Sequence, residues 1–447
     1  MKTRTLTLRA IDYVTINVYW FGLAFLWNSL HPIILPALLL RFVPESLKNT
    51  YLGGMTFAGL VLAMVVQPLA GGLSDGTRSR WGRRRPWIVA GTLIDLVFLA
   101  GLARTVIVRP SASGYWVLLA AYMLLQAASN AAHGPAQGLI PDLVPDERHG
   151  LASGIKNLFD MGGLVVASLV AGQLMGDGNP TLAFAIIGGV LVVSGLITVL
   201  AAPEAPTLAS GASATSQERP AGGPRQGLRD LLRVDLRAYP DYTRLIVSRF
   251  LILLGIYAVQ GFAQYFIRDR LGVPNPTEVT GNLMATIGLA LTLLVFPAGL
   301  LSDRIGRRAL NLLAGALAAV GIFLLIFVRD VSTLYVFGGV IGMATGIFLS
   351  VNWALATDLI PAEEAGKYLG LSNLATAGSG AAARLAGPLI DGLNAMRPGA
   401  YLGYPALFIL ASASALLGTL LMLRMHRPLP TVRVSASATS GGADTPT

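Results

Sequence analysis

The sequence predicts an all-α membrane protein of twelve transmembrane helices in two parallel six-helix repeats. Composition is the first reason: 54% of the 447 residues are hydrophobic and 13% charged, with a mean hydropathy of +0.63, where soluble domains carry roughly 25% charged residues. Segment length is the second. Apolar stretches of about 20 residues recur along the whole chain, each enough to cross about 30 Å of hydrocarbon as a helix, the form that satisfies its own backbone in lipid. A transmembrane barrel would instead alternate in polarity over segments of about 10 residues, a pattern this chain lacks. Recurrence is the third: charged motifs of the first half return in the second in the same order.

The elements follow along the chain. Lys2, Arg4 and Arg9 precede the first apolar run, 14–40, which is too long for a signal-peptide core and lacks a small-residue cleavage pattern, so it reads as a retained helix. The second run (51–73) and the third (86–104, with Asp95 near its middle) flank the densest charge in the chain, GGLSDGTRSRWGRRRPW at 71–87. The fourth, 114–138, carries Gln126, Asn130, His133 and Gln137 at spacings of four, three and four, hence on one helical face. The fifth, 150–173, holds Lys156 one turn before Asp160, and the sixth covers 181–201. Residues 203–242 break the series. They open as PEAPTLASGASATSQERPAGGP, too rich in Pro, Gly, Ser and Ala to bury a core, and read as a flexible linker. The continuation GLRDLLRVDLRAYPDY puts Leu228, Leu231, Leu232 and Leu236 on one face and Arg229, Arg233 and Arg237 on another, as a helix on anionic headgroups or a solvated helical linker would. The seventh run, 243–266, presents Arg249, Tyr257, Gln260 and Gln264; the eighth (279–301) and ninth (309–328) flank the second charged loop. The tenth, 332–356, carries Ser350, Asn352 and Trp353, the eleventh, 367–392, carries Arg384 and Asp391, and the twelfth covers 401–423. The domains expected are an N-terminal bundle (1–202), a linker (203–242), a C-terminal bundle (243–425) and a disordered tail (426–447).

A net charge of +10 would suit nucleic acid, but the arginines sit in short loops beside apolar spans rather than on a face interleaved with aromatics. They report topology instead. With twelve spans, Arg78, Arg80, Arg83, Arg84, Arg85, Arg304, Arg307 and Arg308 all fall on one side, which the positive-inside rule makes the cytoplasm, together with both termini. The location expected is a plasma or inner membrane. There is no cysteine, the four histidines are scattered, no Gly-rich phosphate loop occurs, and no nucleophile and base cluster near an interface. The chain is therefore expected to be neither an enzyme nor a metal or cofactor carrier, and to act as a monomer in the bilayer.

The repeat is specific. Gly71-Gly72-Leu73-Ser74-Asp75 matches Gly299-Leu300-Leu301-Ser302-Asp303, and Arg80-Trp81-Gly82-Arg83-Arg84 matches Arg304-Ile305-Gly306-Arg307-Arg308, with four residues inserted in the first copy. DLVPDERHGLASGIKNL from Asp142 likewise aligns with DLIPAEEAGKYLGLSNL from Asp358. These paired motifs resemble the major facilitator superfamily, whose loop between helices 2 and 3, repeated between helices 8 and 9, reads G-x-x-x-D-x-x-G-R-R. The resemblance spans about residues 10–425. Within it, Gln67-Pro68, Ser79-Arg80, Gly82-Arg83-Arg84-Arg85-Pro86, Asn130 and Gly134-Pro135 are similar to the sucrose and glycoside cation symporters. Two positions depart from the pattern: Gln137 stands where plant-type members have arginine, and Val66 and Gln67 stand where melibiose-type members have sodium-binding aspartates.

The resemblance implies a cavity lined by helices 1, 4, 7 and 10, alternating access, and proton-coupled symport of a sugar or glycoside. Polar residues on those helices, Asn17, Asn28 and His31 on the first, the stripe on the fourth, Tyr257, Gln260 and Gln264 on the seventh, Asn352 and Trp353 on the tenth, offer amides and aromatic faces suited to a neutral sugar. The same groups also serve for plain interhelical hydrogen bonding. Arg384 reads as a partner of substrate or of Asp160 across the cavity. A charge within a span costs about 2.5 to 3.5 kcal/mol on insertion scales, so Asp160, gated by Lys156, is the expected proton carrier and Asp95 the alternative. Asp75, Arg80, Arg83, Arg84, Asp142, Asp303, Arg307, Arg308 and Asp358 are read as a cytoplasmic gate, in which by family analogy an aspartate meets a helix N-terminus of the other half. Efflux of an amphipathic small molecule and a non-transporting sensor or assembly factor are the competing readings.

Overall fold

The computed structural model describes residues 8–204, 239–360 and 365–425. Leu228, Leu231, Leu232, Leu236, Arg229, Arg233 and Arg237 of the expected linker helix, Lys2 and Arg4, and the tail lie outside them. All regular structure among the described residues is helical. The long helices are α1 (Ala10–Leu39), α2 (Glu45–Asp75), α3 (Arg85–Thr105), α4 (Ala112–Gln137), α5 (Asp146–Gly176), α6 (Pro180–Ala201), α7 (Pro240–Leu271), α8 (Pro276–Ile305), α9 (Arg307–Phe327) and α10 (Val331–Asp358). Then come α11, built from Ala365–Ala383, a 3-10 turn Arg384–Ala386 and Gly387–Met396, and α12 (Gly403–Leu423).

Ten of the twelve are individually long and apolar enough to cross a membrane. The two others are α4, whose hydropathy its amide stripe lowers, and α11, whose Gly, Ser and Thr residues and Arg384 lower its own. Several helices run past the apolar stretch that announces them: α2 starts at Glu45 and α5 at Asp146. The backbone hydrogen-bond ladder continues where the side chains have already turned polar, so hydropathy marks the hydrocarbon boundary and not the helix end.

Proline explains the irregular stretches of α1 and α11. In α1 a π turn, Leu30–Ile34, precedes Leu35–Leu39; Pro32 and Pro36 have no N–H to return to the preceding turn. Carbonyls of this broken stretch accept from the other half. Tyr265 of α7 donates its hydroxyl to the Pro36 oxygen at 2.9 Å, and the Gln264 amide, oriented as its neighbours require, donates to Pro32 and Ile33 at 2.9 Å. In α11 Pro388 follows the 3-10 turn and has no N–H for the Arg384 carbonyl, which accepts from Gly387 instead.

Packing repeats element for element. In the first half α4 packs on α2 and α3, and α1 on α5 and α6; in the second α10 packs on α8 and α9, and α7 on α11 and α12. The halves meet where α5 crosses α8 and α2 crosses α11. Both crossings need glycine. A Cβ at Gly172 would lie 2.9 Å from the Gly281 Cα, and one at Gly387 would strike the Asn49 carbonyl. The outer surface carries Leu69, Val97, Leu200, Leu293, Phe296 and Leu410 exposed, as a lipid-facing belt would.

Candidate functional site

Between the halves lies a cavity of about 320 Å³, in the range that encloses a small molecule. The first half supplies Trp27, Asn28 and His31 from α1, Leu60 from α2 and Leu164 from α5. The second supplies Tyr257 and Gln260 from α7, Met284 and Ile287 from α8, and Thr376, Ala377, Gly380 and Arg384 from α11. Of the residues singled out in the sequence, Asn28, His31, Tyr257, Gln260 and Arg384 thus face one space.

The α4 stripe stands behind this wall. The His31 ring stacks on Trp27 with centroids 4.9 Å apart, and its Nε2 lies 3.1 Å from the Tyr122 hydroxyl and 3.4 Å from the Gln126 amide. Gln126 donates to Tyr122 at 2.9 Å and its Oε1 accepts from Asn130 at 3.1 Å. Tyr122, fully buried, is the hub of this network. Nothing in its apolar sequence context distinguished it. Lower on the same stripe, His133 meets Trp20 edge-on at 4.9 Å and lies 3.5 Å from the Gln137 amide. On the facing half the Asn352 oxygen accepts from Arg249 at 2.7 Å, Thr376 accepts from Arg249 Nε at 2.8 Å, and the guanidinium lies 6.0 Å from the Trp353 ring centre. Gln264 is buried and spent on α1 carbonyls.

The intramembrane charges sort differently. Lys156 Nζ sits 3.9 Å over the Trp20 ring and forms no direct ion pair with Asp160 one turn away, which is exposed. Asp95 is 0% exposed, and both of its oxygens lack a hydrogen-bond partner. Asp391 does not reach Arg384. It accepts from Asn49 Nδ2 at 2.8 Å and from the Thr50 backbone and hydroxyl at 2.7 Å, tying α11 to α2. Beside it, Lys48 pairs with Asp269 at 2.7 Å, both side chains 4% exposed, Arg268 pairs with Glu45 at 2.9 Å, and Tyr404 donates to Asp269 at 2.5 Å. These contacts close one end of the cavity between the halves. Sequence reasoning passed over them because each charge lies near a span end, where it reads as ordinary interfacial polarity.

At the opposite end lie the two arginine loops. Arg84, 5% exposed, pairs with Asp75 at 2.6 Å and Asp142 at 2.8 Å and also bonds Ser74, while Arg83 pairs with Asp142. Burial opposes the Arg84 charge, but the hydrogen bond and charge of Asp142, then those of Asp75, outweigh it and hold its pKa above the ordinary arginine value. The second copy repeats the pattern: Arg307 pairs with Asp358 at 2.6 Å and Asp303 at 3.3 Å. Ser74 and Ser302 each donate to the glycine carbonyl three residues back at 2.7 Å. Gly82 and Gly306 share a left-handed φ, 97° and 100°. After these glycines the roles slip by one residue. Arg85 bonds the Ala202 carbonyl at the end of α6, as Arg308 bonds Leu423 at the end of α12. Glu204, just past α6, accepts from the backbone N–H groups of Arg83, Arg84 and Arg85 at 2.6, 2.8 and 3.2 Å, an acidic seat for the N-terminus of α3. Arg80 lies exposed on the first loop.

Twelve helices in two repeated halves around a central cavity are the architecture of the major facilitator class. The family described as MFS/sugar transport protein matches residues 23–425, and the chain belongs to it. Among curated relatives, the sucrose transport protein SUC4 of Arabidopsis thaliana is 31% identical over 137 residues, 28% of this chain and 26% of that one. The proton-associated sugar transporter A of Rattus norvegicus is 25% identical over 45% of this chain and 28% of its own length. The chain thus matches about a quarter of the length of these relatives. A D-xylose-proton symporter crystal structure superposes with a TM-score of 0.71 at 17% identity, covering 93% of this chain and 98% of that one. An inward-facing, unoccupied bacterial homologue of the human lysosomal transporter Spinster superposes with a TM-score of 0.70 at 14% identity, over 94% and 98%.

Proposed function

We propose that the protein carries a sugar or glycoside across a plasma or inner membrane together with a proton, as a monomer with both termini cytoplasmic and residues 203–242 linking its halves. One observation carries this reading: the cavity between the halves joins hydrogen-bonding groups (Asn28, His31, Gln260, Thr376) to flat aromatic faces (Trp27, Tyr257), the mixture a polyol ring needs. Relatives named for sucrose and for proton-associated sugar transport, and a fold shared with a D-xylose-proton symporter, support it.

In this reading the arginine loops face the cytoplasm, and the state described is open inward, sealed outside by Lys48, Asp269, Asp391 and their partners. Asp160 loads the proton. Lys156 is held on Trp20 rather than on Asp160, so no salt bridge locks that carboxylate in its charged form. Asp95, sealed among α1, α3 and α4, is the second candidate. Alternating access then rocks the halves, and Asp75, Asp142, Asp303 and Asp358 with their arginines exchange partners as the inner gate shuts.

The test is uptake of labelled mono- and disaccharides into proteoliposomes with and without an inward proton gradient. Saturable sugar flux stimulated by the gradient is expected. Saturable flux indifferent to the gradient would remove proton coupling, and no saturable sugar flux at all would leave efflux of another small molecule as the reading.

A further inference from the structure

The cavity's charge goes further than its amides. Arg384 lines it from the 3-10 turn of α11, where Pro388 interrupts the helix. The surroundings are shaped to receive this side chain: a Cβ at Gly261 of α7 would fall on the guanidinium, and one at Gly53 of α2 on the Arg384 carbonyl. Yet among the described residues the Arg384 side chain forms no ion pair and no hydrogen bond, and its Nε is buried without an acceptor. The titratable groups it faces are tyrosines and an imidazole, Tyr122, Tyr257 and His31, with no carboxylate among them. The other buried arginine within the helices of this half, Arg249, also lacks a carboxylate, but its Nε donates to Thr376 and a terminal nitrogen to Asn352. An unpaired guanidinium in a low-dielectric wall is costly. Its five fixed donors match a planar carboxylate in a two-point grip, a match a lysine could not make.

We propose that Arg384 receives a carboxylate of the substrate, so that the transported solute is an acidic sugar, a uronate or uronide, rather than the neutral one its amides alone imply. The proposal rests on the sugar-transport reading. Ring hydroxyls meet Asn28 and Gln260, and the acid group meets the guanidinium that lines the cavity. A sugar phosphate, carrying up to two charges, would ask for more cations or backbone donors than this wall leaves free.

The test compares matched pairs in proteoliposomes of the full chain: D-glucuronate against D-glucose and methyl β-glucuronide against methyl β-glucoside, as competitors and as labelled substrates in counterflow. The acidic member of each pair is expected to bind roughly tenfold or more tightly, the scale of a charge-assisted pair. Arg384→Gln should collapse that ratio toward one, and Arg384→Lys should restore part of it. Equal or better transport of the neutral member by the wild-type protein overturns the acidic-substrate proposal and leaves sugar transport standing. A preference for glucose 6-phosphate over glucuronate overturns it as well. Failure of all of these sugars to bind overturns the sugar reading itself and this proposal with it. The wild-type comparison needs no variant, so misfolding of Arg384→Gln cannot obscure the outcome.

Discussion

Arg84 and Arg307 show how burial sets the value of the same contact. Each arginine joins the aspartate that ends the preceding helix to one from a later helix. In the first copy the side chains of Arg84 and Asp142 are 7% and 15% exposed, and in the second those of Arg307 and Asp358 are 32% and 41% exposed. Removing a charged partner from a buried acceptor costs about 1 to 3 kcal/mol, whereas an exposed pair contributes about 0 to 1 kcal/mol. Arg84→Gln should therefore lower the thermal unfolding temperature of the purified protein by several degrees, and Arg307→Gln by much less; equal shifts would show that burial is not what separates the two copies. Function separates along another line. Asp160→Asn should keep substrate exchange between equal concentrations and lose uptake driven by a pH gradient, since only the driven cycle needs the proton to load and leave; unchanged driven uptake would move the role to Asp95. Asp75→Asn should slow transport with little change in substrate affinity, read as a fall in maximal rate at constant half-saturation.

Among the elements, the crossings of α5 with α8 and α2 with α11 decide how the halves move. Gly172 and Gly281 let two backbones touch, and a Cβ at Gly281 would meet the Ser168 carbonyl. Overpacking such a site costs about 1 to 3 kcal/mol. Gly281→Val should lower both stability and transport rate, while Gly189→Ala in α6, where a Cβ meets nothing within 4 Å, should change neither. If Gly281→Val transports normally, the crossing is looser than the backbone approach implies. The broken helices work at the same scale. The proline-interrupted stretch of α1 presents carbonyls to which Tyr265 and Gln264 of α7 donate across the interface, and the broken stretch of α11 packs its backbone directly against Gly53 of α2.

For the whole molecule, the closed end is a set of buried polar contacts that exist only while the halves meet there. Lys48 and Asp269, 221 residues apart in sequence, are both almost fully buried. Removing one partner of such a pair costs the closed state about 3 to 5 kcal/mol. Opening hydrates the survivor, so the cost shows as a population shift and not as unfolding. Because the chain has no native cysteine, spin labels can be placed directly at the exposed positions Leu47 and Met396. Asp391→Asn and Lys48→Met should each lengthen the distance between these labels relative to the labelled parent. An unchanged distance distribution would mean that the glycine crossings hold this end shut without the charges.

The type, number and pairing of the spans could be read along the chain, because hydrocarbon burial acts on each helix separately and leaves its mark in every run of about 20 residues. The charged loops could be read too: Gly-x-x-Ser-Asp recurs with the same serine hydrogen bond in both halves. Faces were also within reach, since Gln126 and Asn130 do share one side of α4. What each face meets was not. Gln260 opens onto the cavity while Gln264, one turn on, is consumed by α1 carbonyls. Tyr122 and Asp391 look like any polar residue in an apolar run, yet one organises the His31 network and the other ties α11 to α2. A period of 3.6 residues defines a stripe but neither the rotation of the helix nor the partner it faces. Only the packed assembly settled that Arg384 stands in the cavity wall with its donors unspent, because a missing counter-ion is a property of everything folded around a residue and of nothing beside it in sequence.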